Sequence, residues 1–151
     1  MGLYYEDFEV GQSWTTPART VGEHDLLTFA GLTGDNHPLH TDAEYCRNHT
    51  EFGERIAHGF LVASIASGLG FRLHLTDGTV VANLGTSWRF MHPVKIGDTI
   101  HVVMTVTEKR ISKSSVGNGV VVRKLEVRNH REQTCAVGDL VILSKFRPLN
   151  K

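Results

Sequence analysis

A chain of 151 residues with 16 basic and 16 acidic side chains has no net charge to draw it to nucleic acid or an anionic membrane. Its two cysteines, Cys46 and Cys135, stand too far apart for a disulfide framework or a zinc knuckle, so a reducing, cytoplasmic setting is expected. The first residues lack the basic-then-apolar layout of a signal peptide, and the length predicts one domain over 1–151 with one core.

In chain order, residues 12–20 read as a short strand that Pro17 confines to a sheet edge or end. Thr20-Val21-Gly22-Glu23 has capping-box spacing, and Leu26, Phe29 and Ala30 give the following helix one apolar face. Gly34 ends that helix as a left-handed cap does. Thr41-Asp42-Ala43-Glu44 repeats the capping signature before a short helix through Tyr45 and Cys46. Between the two helices lies Asp35-Asn36-His37-Pro38-Leu39-His40. It is expected to be a proline-stiffened loop carrying a carboxylate and an imidazole five residues apart, a rigid place for chemistry.

Residues 56–71 are the longest apolar run, interrupted by His58, Ser64, Ser67 and three glycines. That pattern predicts a buried core helix rather than a membrane span. Strands follow over 79–90 (bent at Gly85), 99–109, 116–128 and 135–146, the last two joined by the turn Asn129-His130-Arg131-Glu132. Successive strands with short polar turns imply an antiparallel sheet. A helix apolar on every side must be covered by that sheet, which should curl around it in an α+β fold. The late basic residues Lys109, Arg110, Lys113, Arg123, Lys124, Arg128 and Arg131 are broken up by acids and apolar residues. They read as a solvated strand edge, with a phosphate-binding rim as the alternative.

Gly34-Asp35-x-x-Pro38-Leu39-His40, followed by Ala57-His58-Gly59-Phe60 and the small-residue helix, resembles the MaoC-like (R)-specific enoyl-CoA hydratases. The resemblance extends to Phe90-Met91-His92-Pro93-Val94 and Gly97-Asp98-Thr99. It implies the hot-dog fold, a curved antiparallel sheet wrapped around a central helix. It also implies an acyl thioester substrate, on CoA or an acyl carrier protein, and a homodimer or higher homo-oligomer with the acyl site between subunits. By the same resemblance Asp35 and His40 are the acid–base pair and the Gly59 N–H is the oxyanion donor. Ser67 matches the family serine near the catalytic aspartate, and Ser64, one turn earlier, is a second candidate. Where the family usually has Asn two residues after the aspartate, this chain has His37. A bulkier, titratable ring there is expected to narrow or polarise the mouth of the acyl site.

The chemistry explains the residue types. Adding water across a double bond conjugated to a thioester needs a base for the water, an acid for the α-carbon and donors for the charge growing on the thioester oxygen. A carboxylate, an imidazole and a helix N-terminus supply these. His58 also reads as a satisfied core histidine. His37 and His40 are separated like metal ligands, but no third ligand with characteristic spacing accompanies them, so neither metal nor cofactor is expected. Three alternatives stand beside the straight-chain hydratase. A hydratase of branched or dicarboxylic enoyl-CoA (mesaconyl or itaconyl type) is the first. A hot-dog thioesterase is the second, disfavoured because 56–71 holds no Asp or Glu. A non-catalytic acyl-thioester-binding module is the third, disfavoured because both Asp35 and His40 are present.

Overall fold

The apolar run becomes helix α4 (Gly59–Phe71), and the rest of the chain is arranged around it. The computed structural model describes residues 2–148; Met1 and residues 149–151 of the expected single domain lie outside them. A 3-10 turn at Tyr5–Asp7 leads to β1 (Ser13–Thr15) and β2 (Arg19–Thr20). Helices α1 (Glu23–Thr33), α2 (Pro38–Thr41) and α3 (Ala43–His49) precede α4. Strands β3 (Val80–Phe90), β4 (Thr99–Ile111), β5 (Asn118–Asn129) and β6 (Thr134–Lys145) follow it. They pair antiparallel in the order β1-β4-β5-β6-β3, with β2 also on β4. This is the antiparallel sheet with a central helix that the sequence predicts, and register shifts in β3, β4 and β6 supply local bends.

The core is the interface between α4 and the inward face of the sheet. Leu61, Val62, Ile65, Ala66 and Leu69 meet Ile100, Val102, Met104, Leu125 and Val127 in one buried cluster. Each large aliphatic side chain buried here contributes about 1.5–3 kcal/mol. Gly70 is small because a Cβ would lie 3.0 Å from the Met104 sulfur, so the helix could not settle as closely on β4.

Four expectations change in detail. The 12–20 strand is split at Pro17, and the Thr16 hydroxyl accepts from the Val102 N–H at 2.9 Å where the ladder is interrupted. Helix α1 is capped by Gly22, whose N–H donates to the Asp25 carboxylate at 2.8 Å, and not through Thr20 and Glu23. Val21 and Leu26 flank that cap as a buried staple. Helix α3 is capped by the Asp42 carboxylate, which accepts from the Tyr45 N–H, and not by Thr41. Helix α4 begins at Gly59 rather than 56, because the preceding backbone is used elsewhere. Ile56 donates to the Leu39 carbonyl at 3.3 Å and Ala57 to the Val94 carbonyl at 2.8 Å.

A fifth difference is larger. Arg123 does not belong to a solvated edge: it is 6% exposed, on the inward face of β5 with Val121, Leu125 and Val127. Strand β3, by contrast, is an edge whose Val81, Leu84 and Phe90 are exposed.

Candidate active site

The site is assembled where α1, α2 and the start of α4 converge. Gly34 closes α1 with φ at 78°, a left-handed turn that suits glycine, and sends the chain into Asp35. The expected loop is in part a one-turn helix, α2, with Pro38 at its first position, where the missing N–H leaves nothing unpaired. His37 caps it: the ring Nδ1 accepts from the Leu39 N–H at 3.1 Å. Thr41 ties the turn back, its hydroxyl donating to the His37 carbonyl at 3.2 Å.

This turn directs His40 inward, where it is buried. Its Nδ1–H donates to the Ile56 carbonyl at 2.7 Å, which leaves Nε2 of the neutral ring unprotonated. His58, at the N-cap position of α4, is 2% exposed and lies against His40 with ring centroids 3.7 Å apart and planes 27° apart. Its Nε2–H donates to the Asp35 backbone carbonyl at 3.0 Å, and its Nδ1 is buried without a partner. One carboxylate oxygen of Asp35 and one ring nitrogen from each histidine lie within 4.8 Å of one another. The acid–base pair read from the sequence is therefore brought together, with a second imidazole behind it.

Gly59 sits beside this cluster. Its N–H belongs to the first turn of α4, where no intrahelical acceptor exists and the helix dipole is positive. A cavity of about 300 Å³ is lined by His40, Gly59, Ile56, Val62, Phe90 and His92, among others. A Cβ on Gly59 would lie 2.7 Å from the Phe90 ring, so glycine keeps this wall open.

Ser64 and Ser67 are placed differently. The Ser64 hydroxyl donates to the Phe60 carbonyl at 2.7 Å. Ser67 lines a separate cleft between α4 and β3, with Phe60, Asn83, Thr86 and Trp88. Within one chain neither serine lines the cavity of His40 and Gly59. His37 does not line it either; its ring is occupied by the α2 cap and faces Tyr45 at 6.3 Å.

The residue that sequence reasoning undervalued is His58. It is buried, as a core histidine would be, but its partners are the two catalytic candidates. The signal was its position at the N-cap of the central helix. It also supplies the third ligand-type side chain that the spacing did not reveal.

Burial pushes the His40 imidazole below its ordinary 6.5, the Ile56 carbonyl opposes this, and the nearby His58 adds to it. The ring is thus neutral at neutral pH, with Nε2 available as an acceptor. A depressed folded-state value means the unfolded chain binds the proton more readily, so this group's contribution to stability is lost as pH falls below 6.5. We expect a histidine NMR titration to place the His40 midpoint below 6.5; a midpoint above it would contradict this environment.

Comparison with known proteins adds a family. Residues 7–129 match the model described as MaoC like domain. An (R)-specific enoyl-CoA hydratase of Rhodospirillum rubrum is 42% identical over 105 residues, 69% of this chain and 69% of that protein. The protein MaoC of Klebsiella aerogenes is 39% identical over 109 residues, 72% of this chain but only 32% of the longer relative. A MaoC-like dehydratase structure from Rhodospirillum rubrum superposes with a TM-score of 0.87 at 30% identity, covering 98% of this chain and all of that one.

Proposed function

Because this chain belongs to the MaoC-like domain family, we propose that it is a hydro-lyase that adds water to a 2-enoyl thioester, giving the (R)-3-hydroxyacyl thioester, or removes it. The observation that carries this reading is the grouping of the Asp35 carboxylate and the His40 imidazole within 4.8 Å, beside the open N-terminus of α4. In this reading the thioester oxygen accepts from the Gly59 N–H, and one water lies between Asp35 and His40 Nε2. Its hydroxyl bonds to the β-carbon as the double bond's electron pair shifts toward the carbonyl. The water's other proton passes into the pair, and a proton from the pair goes to the α-carbon, so one water is added in total. His58 holds His40 from behind and anchors Asp35 through its backbone. The thioesterase alternative is weaker: α4 holds no carboxylate to attack or activate water at the carbonyl.

No metal enters this chemistry. Purified protein treated exhaustively with a chelator should hydrate a trans-2-enoyl-CoA at its original rate. Loss of all turnover, restored by a divalent cation, would contradict the proposal.

We further propose that the protein acts as a homodimer of one domain per chain in the cytoplasm. Its cysteines, Cys46 and Cys135, are both free and buried. No helix among the described residues is long and apolar enough to cross a membrane. The exposed edge β3 carries Val81, Leu84 and Phe90, and α4 exposes Phe60 and Phe71 alongside it. An apolar, unpaired edge is a hazard that pairing with a second copy removes. A second chain covering this face would also close over the cleft that Ser67 lines. Analytical ultracentrifugation should show a dimer at assay concentration; an active monomer would overturn this.

A further inference from the structure

We propose that Arg123 is a specificity-determining residue that binds a carboxylate at the far end of the acyl chain, so that the substrate is the monothioester of a dicarboxylic acid. The inference rests on the hydratase reading and names its substrate class.

Alternation along β5 sends Val121, Arg123, Leu125 and Val127 to the inward face, where the other three are apolar and buried. A guanidinium at such a position is strongly unfavourable unless an anion meets it. None does: Arg123 is 6% exposed, its Nε is buried without a partner, and no hydrogen bond or ion pair holds it among the described residues. Its neighbours across the ladders are Val106 on β4 and Leu140 on β6, which offer no acceptor side chain. Burial alone lowers its basicity, to a pKa of about 10, which still leaves it charged at neutral pH. A charged guanidinium with a buried, unpartnered Nε and no protein acceptor suits the planar geometry of a carboxylate.

The guanidinium lines a cavity of about 420 Å³ whose lining includes no acidic residue. Its walls are mostly apolar; apart from Arg123 and Thr76, the polar exceptions are Ser67 and Asn83. Those two residues, with Leu125 and Leu140, also line the smaller cleft that runs along α4 to Phe60 and Trp88. Phe90 stacks on Trp88 and walls the cavity of His40 and Gly59, so the cleft ends next to the reaction centre. Ser67 lies eight residues beyond Gly59 on α4, about 12 Å along the axis. Three bonds of an extended chain span ~3.3–3.6 Å, so roughly ten bonds cover that distance. An aliphatic tail fits the apolar walls, and its terminal carboxylate would meet Arg123. A CoA phosphate is the competing anion, but a single deeply buried arginine in an apolar cavity suits a tail better than a hydrated phosphate.

The test compares 2-enoyl-CoA esters of matched length ending in a carboxylate or a methyl group. The wild-type protein should favour the carboxylate by about 10²–10⁴-fold in kcat/KM, because a site built around a buried donor discriminates strongly against a ligand that leaves it unpaired. Arg123→Met should abolish that preference while changing turnover of the methyl-ended ester far less. Calorimetric binding of the saturated analogues of both esters to wild-type protein gives the same comparison without relying on turnover or on the variant's folding. Equal wild-type affinity for the two tails would overturn the proposal, even if both enoyl esters are hydrated. So would an Arg123→Met variant that weakens both equally, since that assigns the arginine to the CoA phosphates or to a partner's acid. A carboxylate preference in binding with no hydration of any ester would keep the subsite and overturn the hydratase reading instead.

Discussion

Asp35→Asn should lower kcat roughly 10²–10⁴-fold, and His40→Ala should do the same, the usual size of a lost acid–base step. Asparagine preserves the shape of Asp35 but cannot take a proton. His40→Ala removes Nε2, the only nitrogen of that ring not committed to the Ile56 carbonyl. Because the two groups act on one water, the double variant should be little worse than either single one. Removing His40 also leaves the Ile56 carbonyl and the face of His58 unsupported, so thermal unfolding must be measured alongside. Asp35 is exposed, and the bond its carboxylate accepts from the His37 N–H at 3.4 Å is one that an asparagine Oδ1 can keep, which makes Asp35→Asn the cleaner probe. Near-normal turnover in either single variant would remove the pair from the mechanism.

Gly59→Ala should be the next most damaging change. The new methyl would sit 2.7 Å from the Phe90 ring, at the wall of the cavity that His40 lines. Phe90 is 47% exposed and can swing away, so the fold should survive. The thioester oxygen, however, could no longer come within hydrogen-bond reach of the Gly59 N–H. Loss of one oxyanion donor typically lowers kcat about 10²–10³-fold. Combining Gly59→Ala with Phe90→Ala relieves the clash with the ring but leaves the methyl in the path of the thioester. The double variant should therefore regain stability without regaining rate. Full activity in Gly59→Ala would show that the carbonyl is polarised elsewhere.

The sequence made the architecture legible because two periodicities dominate it. The run that becomes α4 is apolar all round, and β4 and β5 alternate with a period of two, so helix, sheet and their packing follow from the pattern. Boundaries were less legible where backbone groups are bound at long range. Ile56 and Ala57 look helical by composition, yet their N–H groups are used by Leu39 and Val94. The Asp35–His40 pair was visible from its spacing, but its geometry was not. The stacking of His58 on His40 joins residues 18 positions apart through a turn that only the fold creates. Arg123 was hidden for a different reason. Grouped with its basic neighbours it looks solvated, whereas counting parity from Val121 to Val127 places it inside.

The most direct test follows one reaction with two readouts. Purified protein is mixed with a trans-2-enoyl-CoA, and the loss of the conjugated thioester absorbance is recorded beside an assay for free thiol. The account predicts that absorbance falls, that no thiol appears, and that the product is the (R)-3-hydroxyacyl-CoA. Release of free CoA with the double bond intact, or no change in either signal across acyl chains of both tail types, would contradict it.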